Sequence, residues 1–179
     1  MKTEFTMKEA AQIIAESGGY DEVEIHTKLR GWNQGEVARP EKKSGLATSP
    51  LLYSQSEIIK LAALIRVQDN FRLRPRMMKY LFSWINFEPK IDILPDGTQI
   101  SHSIDGAIKG IAAKQKWAVT ISPYRSLREI ENGTSDPDSW SLIFSPSNGS
   151  TTEIKDEIHR VPLNPILEPL LERFRKEKS

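Results

Sequence analysis

A Ser-Gly-Gly-Tyr segment at residues 17–20, set between two helix start signals, most constrains the fold of this chain. Before it, Thr6 and Glu9 form a capping box, and after it Asp21 and Glu24 have the same spacing. The paired glycines stop the first helix, because glycine adopts the backbone conformation in which helices end. The predicted helices span about Thr6–Ser17 and Asp21–Trp32. Two short helices joined by a glycine-bearing turn are typical of a helix-turn-helix.

The second predicted helix carries apolar residues at intervals close to the helical period. These residues are Val23, Ile25, Leu29 and Trp32. We expect them to face a core, which leaves the polar positions of this helix for solvent or a ligand.

Two more helices and a hairpin are predicted before residue 86. Ser54 and Glu57 form a third capping box ahead of an apolar stripe, and Pro75 suits the first turn of a fourth helix. Between the second and third helices, the chain is too rich in Gly, Pro and Ser to be helical. There, Val37–Arg39 and Leu51–Tyr53 are predicted to pair as strands around a basic tip that starts at Lys42.

Positive charge is concentrated in the same region. Residues 28–79 contain eleven Lys or Arg and four Asp or Glu, a net +7, whereas the whole chain carries +1. Neutralisation of phosphates supplies most of the non-specific affinity of nucleic-acid binders. A local excess of cations on a small helical unit therefore favours nucleic acid as the partner.

Several function classes are excluded by composition and motifs. The chain has no cysteine, and its three histidines are scattered without metal-ligand spacing. Phosphate-loop, dinucleotide-binding and nucleophile-elbow motifs do not occur. The protein is therefore predicted not to be an enzyme and to need neither a cofactor nor a metal. With neither a signal peptide nor an apolar run of about 18–20 residues, it is expected to be cytoplasmic and not bound to a membrane.

The second half of the chain has a different pattern and a different charge. Residues 1–85 carry a net +3 and residues 86–179 a net −2, which favours two modules with different partners. The elements predicted in the second half are a strand over Phe87–Pro95, a helix over 102–115, strands over Trp117–Ile121 and Trp140–Phe144, and an amphipathic helix over Asn164–Lys178. The predicted division is thus a DNA-binding domain over residues 1–86 and a small α+β domain over residues 87–179.

Four aromatic residues of this second domain leave two interpretations open. They are Trp117, Tyr124, Trp140 and Phe144. They line a pocket for a small-molecule or protein effector in one interpretation, and they form the domain's core in the other. Dimerisation through the C-terminal helix is the second role considered for this domain.

The order helix, turn, helix, basic hairpin and apolar helix resembles the winged-helix domain of MerR-type transcriptional regulators. The resemblance rests on Leu52-Tyr53-Ser54-x-x-Glu57-Ile58, which opens the third helix, and on Phe71-Arg-Leu-Arg-Pro75 before the fourth. It covers about residues 5–85. The family's Arg-Tyr-Tyr signature is replaced by Leu29-Arg-Gly-Trp32, and Asn86-Phe-Glu-Pro89 ends the fourth helix before the family's long dimerising helix.

The resemblance implies a sequence-specific, double-stranded DNA-binding transcriptional regulator that acts as a homodimer. The second helix would enter the major groove, where Lys28 or Arg30 would contact guanine. The residues expected to contact DNA from this helix are His26, Thr27, Lys28 and Arg30. Those expected on the wing, at phosphates or in the minor groove, are Arg39, Lys42, Lys43 and Ser44. Those expected to hold the DNA backbone are Tyr53, Arg72, Arg74 and Arg76.

Two alternatives remain open from the sequence. One is an excisionase-like architectural protein that bends DNA with the same winged fold. The other is an adaptor whose helical unit binds an acidic protein instead of DNA. Bending of DNA by monomers bound side by side would favour the first, and failure to retain DNA at low salt would favour the second.

Overall fold

A computed structural model of the chain describes residues 3–35, 37–38, 40, 42–43, 51–71, 75–85, 90–93, 99–124, 139–147, 153–155 and 158–176. Two compact units are present: Met1–Lys79 together with Pro165–Ser179, and Tyr80–Asn164. Helices and small antiparallel sheets occur together, so the chain has the α+β character expected from the sequence.

The elements up to Trp84 are β1 (Glu4–Thr6), α1 (Met7–Gly18), α2 (Glu22–Gln34), β2 (Lys42–Lys43), β3 (Leu51–Ser54), α3 (Gln55–Phe71) and α4 (Pro75–Trp84). The later elements are β4 (Lys90–Ile93), β5 (Gln99–His102), α5 (Ile104–Ala112), β6 (Trp117–Tyr124), β7 (Ser139–Pro146), β8 (Glu153–Lys155), β9 (Ile158–Pro162) and α6 (Asn164–Lys176). The four helices predicted before residue 86 are thus confirmed.

The three predicted helix starts are capped by side chains. At α1 the backbone N–H of Glu9 donates to Thr6 Oγ1, and the Thr6 N–H donates to Glu9 Oε2 at 2.9 Å. At α3 the same reciprocal pair joins Ser54 and Glu57. At α2 the carboxylate of Asp21 accepts a backbone N–H at 2.9 Å. Each cap satisfies N–H groups that the first turn of a helix leaves without a partner.

The turn between α1 and α2 depends on its two glycines. Gly19 has φ +70°, a left-handed conformation that glycine adopts without strain. A Cβ atom at Gly18 would overlap the ring of Tyr20, so a larger residue here would displace that ring. The Tyr20 N–H donates to the carbonyl of Ala15 at 3.0 Å. The turn therefore leaves only three residues between the end of α1 and the start of α2.

The hairpin differs from its prediction. The first sheet has the strand order β1-β3-β2, with Lys42 opposite Leu52 and Lys43 opposite Leu51. The lysines expected at the tip are therefore strand residues. The predicted strand pairing is wrong for Val37 and Ala38, and Arg39 lies outside the described residues. Val37 and Ala38 lie in a buried bend, where their N–H groups donate to the carbonyl of Trp32 at the end of α2. Burial of these two small apolar side chains and the hydrogen bonds to Trp32 take the place of strand pairing.

The core of the first unit is formed around α3. Between Ile58 and Val67, only Lys60 and Arg66 are not buried. A helix with so little polar surface is covered on more than one side. Its neighbours include α1 and β3. The predicted apolar stripe of this helix is thus confirmed, although buried positions extend beyond it.

Helix α6 belongs to the first unit, whereas the sequence placed it in the second domain. The rings of Phe174 and Phe5 pack with centroids 6.1 Å apart, and both residues are buried. Arg173 forms an ion pair with Glu16 of α1. A hydrogen bond from Gln12 and then this arginine lower the pKa of Glu16. The boundary between the units lies at residues 79 and 80 rather than 86 and 87.

The second unit contains a four-stranded antiparallel sheet of order β7-β6-β9-β8 and a separate β4–β5 hairpin. Helix α5 contacts β5, β6 and β7. The Nδ1 of His102, at the end of β5, is 2.9 Å from the carbonyl oxygen of Phe144 in β7. The strands predicted at Trp117 and Trp140 are confirmed, whereas β5, β8 and β9 were not predicted.

Candidate nucleic-acid interface

Helix α2 has one buried face and one exposed face. Ile25, Leu29 and Trp32 are buried, and the helix packs against α1. The opposite face carries a stripe of exposed side chains at intervals of three or four residues, which fall within about 60° of arc. This exposed stripe consists of Val23, Thr27, Arg30 and Gln34. Helix α2 is thus held by its apolar side and presents a mixed stripe of polar, charged and apolar side chains to solvent.

Arg30 lies in the middle of the exposed stripe. It is exposed and forms no ion pair with the residues that the structure describes. Its guanidinium can therefore donate two parallel hydrogen bonds to a ligand. In the major groove, this geometry fits the O6 and N7 acceptors of guanine.

Lys28 is engaged in two ion pairs. Its Nζ is 2.6 Å from Asp69 Oδ1 on α3 and 3.0 Å from Glu24 Oε1 on its own helix. Partial burial alone would lower the pKa of Lys28, but hydrogen bonds to Asp69 and Glu24 outweigh it and raise this pKa. Of the two residues expected to contact guanine, only Arg30 presents its charge to solvent, and Lys28 ties α2 to α3.

Tyr20 joins the same cluster from the turn before α2. Burial raises the pKa of its hydroxyl, and the negative charge of Asp69 raises it further, while a hydrogen bond with Arg66 acts in the opposite direction. Asp69 thus interacts with residues on both sides of the start of α2. The orientation of α2 is set by polar contacts to α3 as well as by its apolar face.

His26 and Thr27 differ in exposure. His26 is half-buried, beside the exposed stripe. Thr27 is exposed, and its hydroxyl donates to the carbonyl of Val23 at 2.7 Å. Since that proton is used within the helix, the hydroxyl oxygen can face a ligand only as an acceptor, beside the apolar methyl group.

The expectation that Tyr53 holds the DNA backbone is corrected by its burial. Its side chain is 1% exposed, and its hydroxyl has no hydrogen-bond partner among the described residues. Burial, followed by the negative charge of Glu57, raises the pKa of Tyr53 to about 12. The cause is strand alternation, because Tyr53 lies between the half-buried Leu52 and Ser54 and takes the core side of β3.

The remaining predicted contacts are described only in part. Lys42 and Lys43 form β2 at the edge of the three-stranded sheet, but their side chains lie outside the described residues. The same holds for the side chain of Arg76 in α4. The predicted contacts Arg39, Ser44, Arg72 and Arg74 lie wholly outside the described residues.

Two features of α2 were missed by the sequence analysis. Val23, assigned to the apolar face, is 73% exposed. Its position is about 160° around the helix from Ile25, so a helical projection would have separated it from the buried residues. The first turn is also acidic, with Asp21, Glu22 and Glu24 close together. These carboxylates stabilise the helix by interacting with the positive end of its dipole, but they repel phosphates. Contacts to phosphate must therefore come from other parts of the unit.

The aromatic residues of the second unit, considered as the lining of a pocket, are partly described. Trp117 and Phe144 are buried, which supports the core interpretation for these two, and the side chains of Tyr124 and Trp140 lie outside the described residues. Within the described ranges, no three His, Cys, Asp or Glu side chains come together as metal ligands. Nor does any described helix combine the length and apolar character needed to cross a membrane.

No protein-family model matches the chain, and comparison with curated proteins finds no match.

Proposed function

We propose that the first unit binds double-stranded DNA as a MerR-like winged helix-turn-helix and that the protein regulates transcription. Helices α1 and α2 would form the helix-turn-helix, with α2 in the major groove and the β2–β3 hairpin as the wing. The observation that carries this proposal is the exposed stripe of α2, in which Arg30 stands on a helix anchored at its cap, its apolar face and Lys28.

Electrostatics support the same assignment. The segment 28–79 has a net charge of +7. Asp69 and Glu24 form ion pairs with Lys28, and the acidic residues of α2, Glu22 and Glu24, lie in its first turn. A duplex whose phosphates lie along this segment would release counterions, so its affinity would fall steeply with salt. Base preference would come from α2, because contacts to phosphate position a protein without distinguishing sequences.

The proposal includes a homodimer and a regulatory role for the second unit. A dimer of helix-turn-helix units contacts two half-sites, and the selected DNA would then be palindromic. Sedimentation of the protein with and without the selected duplex would measure the stoichiometry directly. An effector would have to bind away from Trp117 and Phe144, since these side chains are in the core.

The test is selection of bound fragments from random duplex DNA, followed by titration of the selected duplex at about 50 and 200 mM salt. We expect a defined consensus and a loss of affinity of at least tenfold over that salt range. Arg30→Ala should weaken binding of the selected duplex much more than binding of random DNA. The Lys42→Ala/Lys43→Ala double variant should weaken both equally.

Lys109→Ala is the matched control, because it removes one exposed cation from α5 of the second unit. It should leave both affinities unchanged. The proposal would be overturned if the wild type retained no duplex at 50 mM salt, or if Arg30→Ala and Lys109→Ala behaved alike. Retention of an acidic protein in place of DNA would favour the adaptor alternative.

A further inference from the structure

Val23 is the more exposed of the two large apolar side chains that the described residues leave in solvent. It is 73% exposed, compared with 43% for Ile143 in the second unit. It lies in the first turn of α2, one turn before Thr27 and two turns before Arg30. An apolar side chain thus begins the exposed stripe that otherwise consists of polar and charged residues.

Among the described residues of the first unit, no contact requires valine at this position. A β-branched side chain is a poorer helix former than alanine, because its rotamers are restricted by the preceding turn. Exposed as it is, Val23 contributes little to the hydrophobic stabilisation of the core. The contact it makes within α2, the hydrogen bond between its carbonyl and Thr27, is a backbone interaction open to any residue.

We propose that Val23 contacts the C5-methyl group of a thymine in the major groove, an inference that rests on the DNA-binding function proposed above. The thymine methyl is the apolar group that the major groove presents, and side chains that carry methyl groups pack against it. Contact with the methyl discriminates thymine from cytosine without a hydrogen bond. Val23 is therefore a specificity-determining residue of the interface.

The spacing of the stripe adds a geometric constraint. Val23 and Arg30 are seven residues apart, which corresponds to about 10 Å along a helix. Base pairs repeat every ~3.4 Å along each strand of a duplex. We therefore expect the thymine contacted by Val23 and the guanine contacted by Arg30 to lie about three base-pair steps apart.

The experiment replaces each thymine of the selected duplex, one at a time, by deoxyuridine, which lacks only the methyl group. Dissociation constants are measured by fluorescence anisotropy for the wild type, Val23→Ala and Ile143→Ala. For the wild type, one replacement should weaken binding by about fourfold, the effect of one buried methyl group. Val23→Ala should weaken binding of the thymine duplex to a similar degree and lose the deoxyuridine effect at that position. Ile143→Ala should behave as the wild type does.

Val23 is exposed, so Val23→Ala should fold as the wild type does, which urea unfolding would verify. The contact is overturned if no thymine methyl affects binding, or if Val23→Ala keeps the full deoxyuridine effect. Either result would leave the DNA-binding function intact, because the wild type would still bind the selected duplex. Failure of the wild type to bind any duplex would overturn both proposals together.

Discussion

The ammonium group of Lys28 on α2 lies 2.6 Å from a carboxylate oxygen of Asp69 on α3, which follows 41 residues later in the chain. Their side chains are only 21% and 25% exposed, so the pair is partly shielded from water. Tyr20 interacts with the same aspartate from the turn before α2. A single carboxylate of α3 therefore helps to set both the position and the rotation of the helix that presents the exposed stripe.

We expect the Lys28–Asp69 pair to contribute measurably to stability. Asp69→Asn should lower the free energy of unfolding by about 1–2 kcal/mol, because a hydrogen bond between charged groups is lost. Lys28→Met should have a similar effect, and the double variant should show a coupling energy of about 1 kcal/mol. Urea unfolding of the wild type, the two single variants and the double variant completes this double-mutant cycle.

The Glu16–Arg173 pair is the matched control for this cycle. Its side chains are 53% and 32% exposed, so its coupling energy should be about 0.5 kcal/mol or less. If the two cycles gave equal coupling energies, Asp69 would not hold α2 more firmly than a surface pair does.

Tyr53 should make the stability of the protein fall at alkaline pH. Its pKa of about 12 in the folded chain exceeds the usual value of 10.0, so the folded state holds the proton more tightly than the unfolded state does. This contribution is fully present below pH 10 and is lost as the pH rises through about 12. Between pH 9 and 11.5 the wild type should lose about 2 kcal/mol of unfolding free energy from this residue alone. Urea unfolding at the two pH values measures the loss, and Tyr53→Phe should remove it.

At neutral pH, the two tyrosines of the first unit should respond differently to removal of the hydroxyl. Tyr53→Phe deletes a buried hydroxyl with no hydrogen-bond partner among the described residues, so stability should stay within about 0.5 kcal/mol or increase. Tyr20→Phe deletes a hydroxyl that interacts with Arg66 and Asp69, and it should cost about 1 kcal/mol. Equal losses from both variants would contradict the assigned environments.

Replacement by alanine should change the stability of the protein in opposite directions at two glycines, one in the turn before α2 and one within it. Gly19 has φ +70°, where an L-residue is strained, so Gly19→Ala should destabilise the protein by about 1 kcal/mol or more. Gly31 is within α2, and a Cβ atom there meets nothing within 4 Å. Gly31→Ala should stabilise the protein by about 0.5–1 kcal/mol, because alanine restricts the unfolded chain and favours helix. Thermal unfolding of the two variants and the wild type shows whether each substitution raises or lowers the stability.

The local features of the fold were predictable because their causes are local. Each cap joins a side chain to the backbone within one helical turn. The helix starts at Thr6, Asp21 and Ser54 can therefore be predicted from the neighbouring residues alone. Glycines that stop a helix act equally locally, and the position of the turn at Gly19 followed from them.

Pairing between distant segments was not predictable in the same way. Strand β1 has three residues, and only its pairing with Tyr53 and the neighbouring residues of β3 makes it a strand. Strand β2 consists of two lysines, a residue type with low strand propensity, so the sequence favours the more apolar Val37–Arg39 as the strand. The packing of Phe174 against Phe5 joins opposite ends of the chain, and no local signal marks it.

The sequence predicts the helix that carries the candidate site, but not which of its side chains form ion pairs. The identification of α2 followed from the turn, and Arg30 is exposed as expected. The sequence predicts that Lys28, like Arg30, contacts a DNA base, because both residues are cations on the same helix. Only the fold brings Asp69 within reach of its ammonium group.

Arg30 and Lys28 should therefore differ in their effects on DNA, although they are neighbours on one helix. Arg30→Ala should weaken the selected duplex by about 1–3 kcal/mol and broaden the base preference at one position, because a bidentate guanine contact is lost. Lys28→Met should lower stability and leave the base preference unchanged, since its ammonium group is held by Asp69 and Glu24. Anisotropy titrations against the selected duplex and single-base variants, made well below the unfolding midpoint of each protein, would measure both effects. A broadened preference for Lys28→Met equal to that for Arg30→Ala would show that the lysine leaves Asp69 when DNA binds.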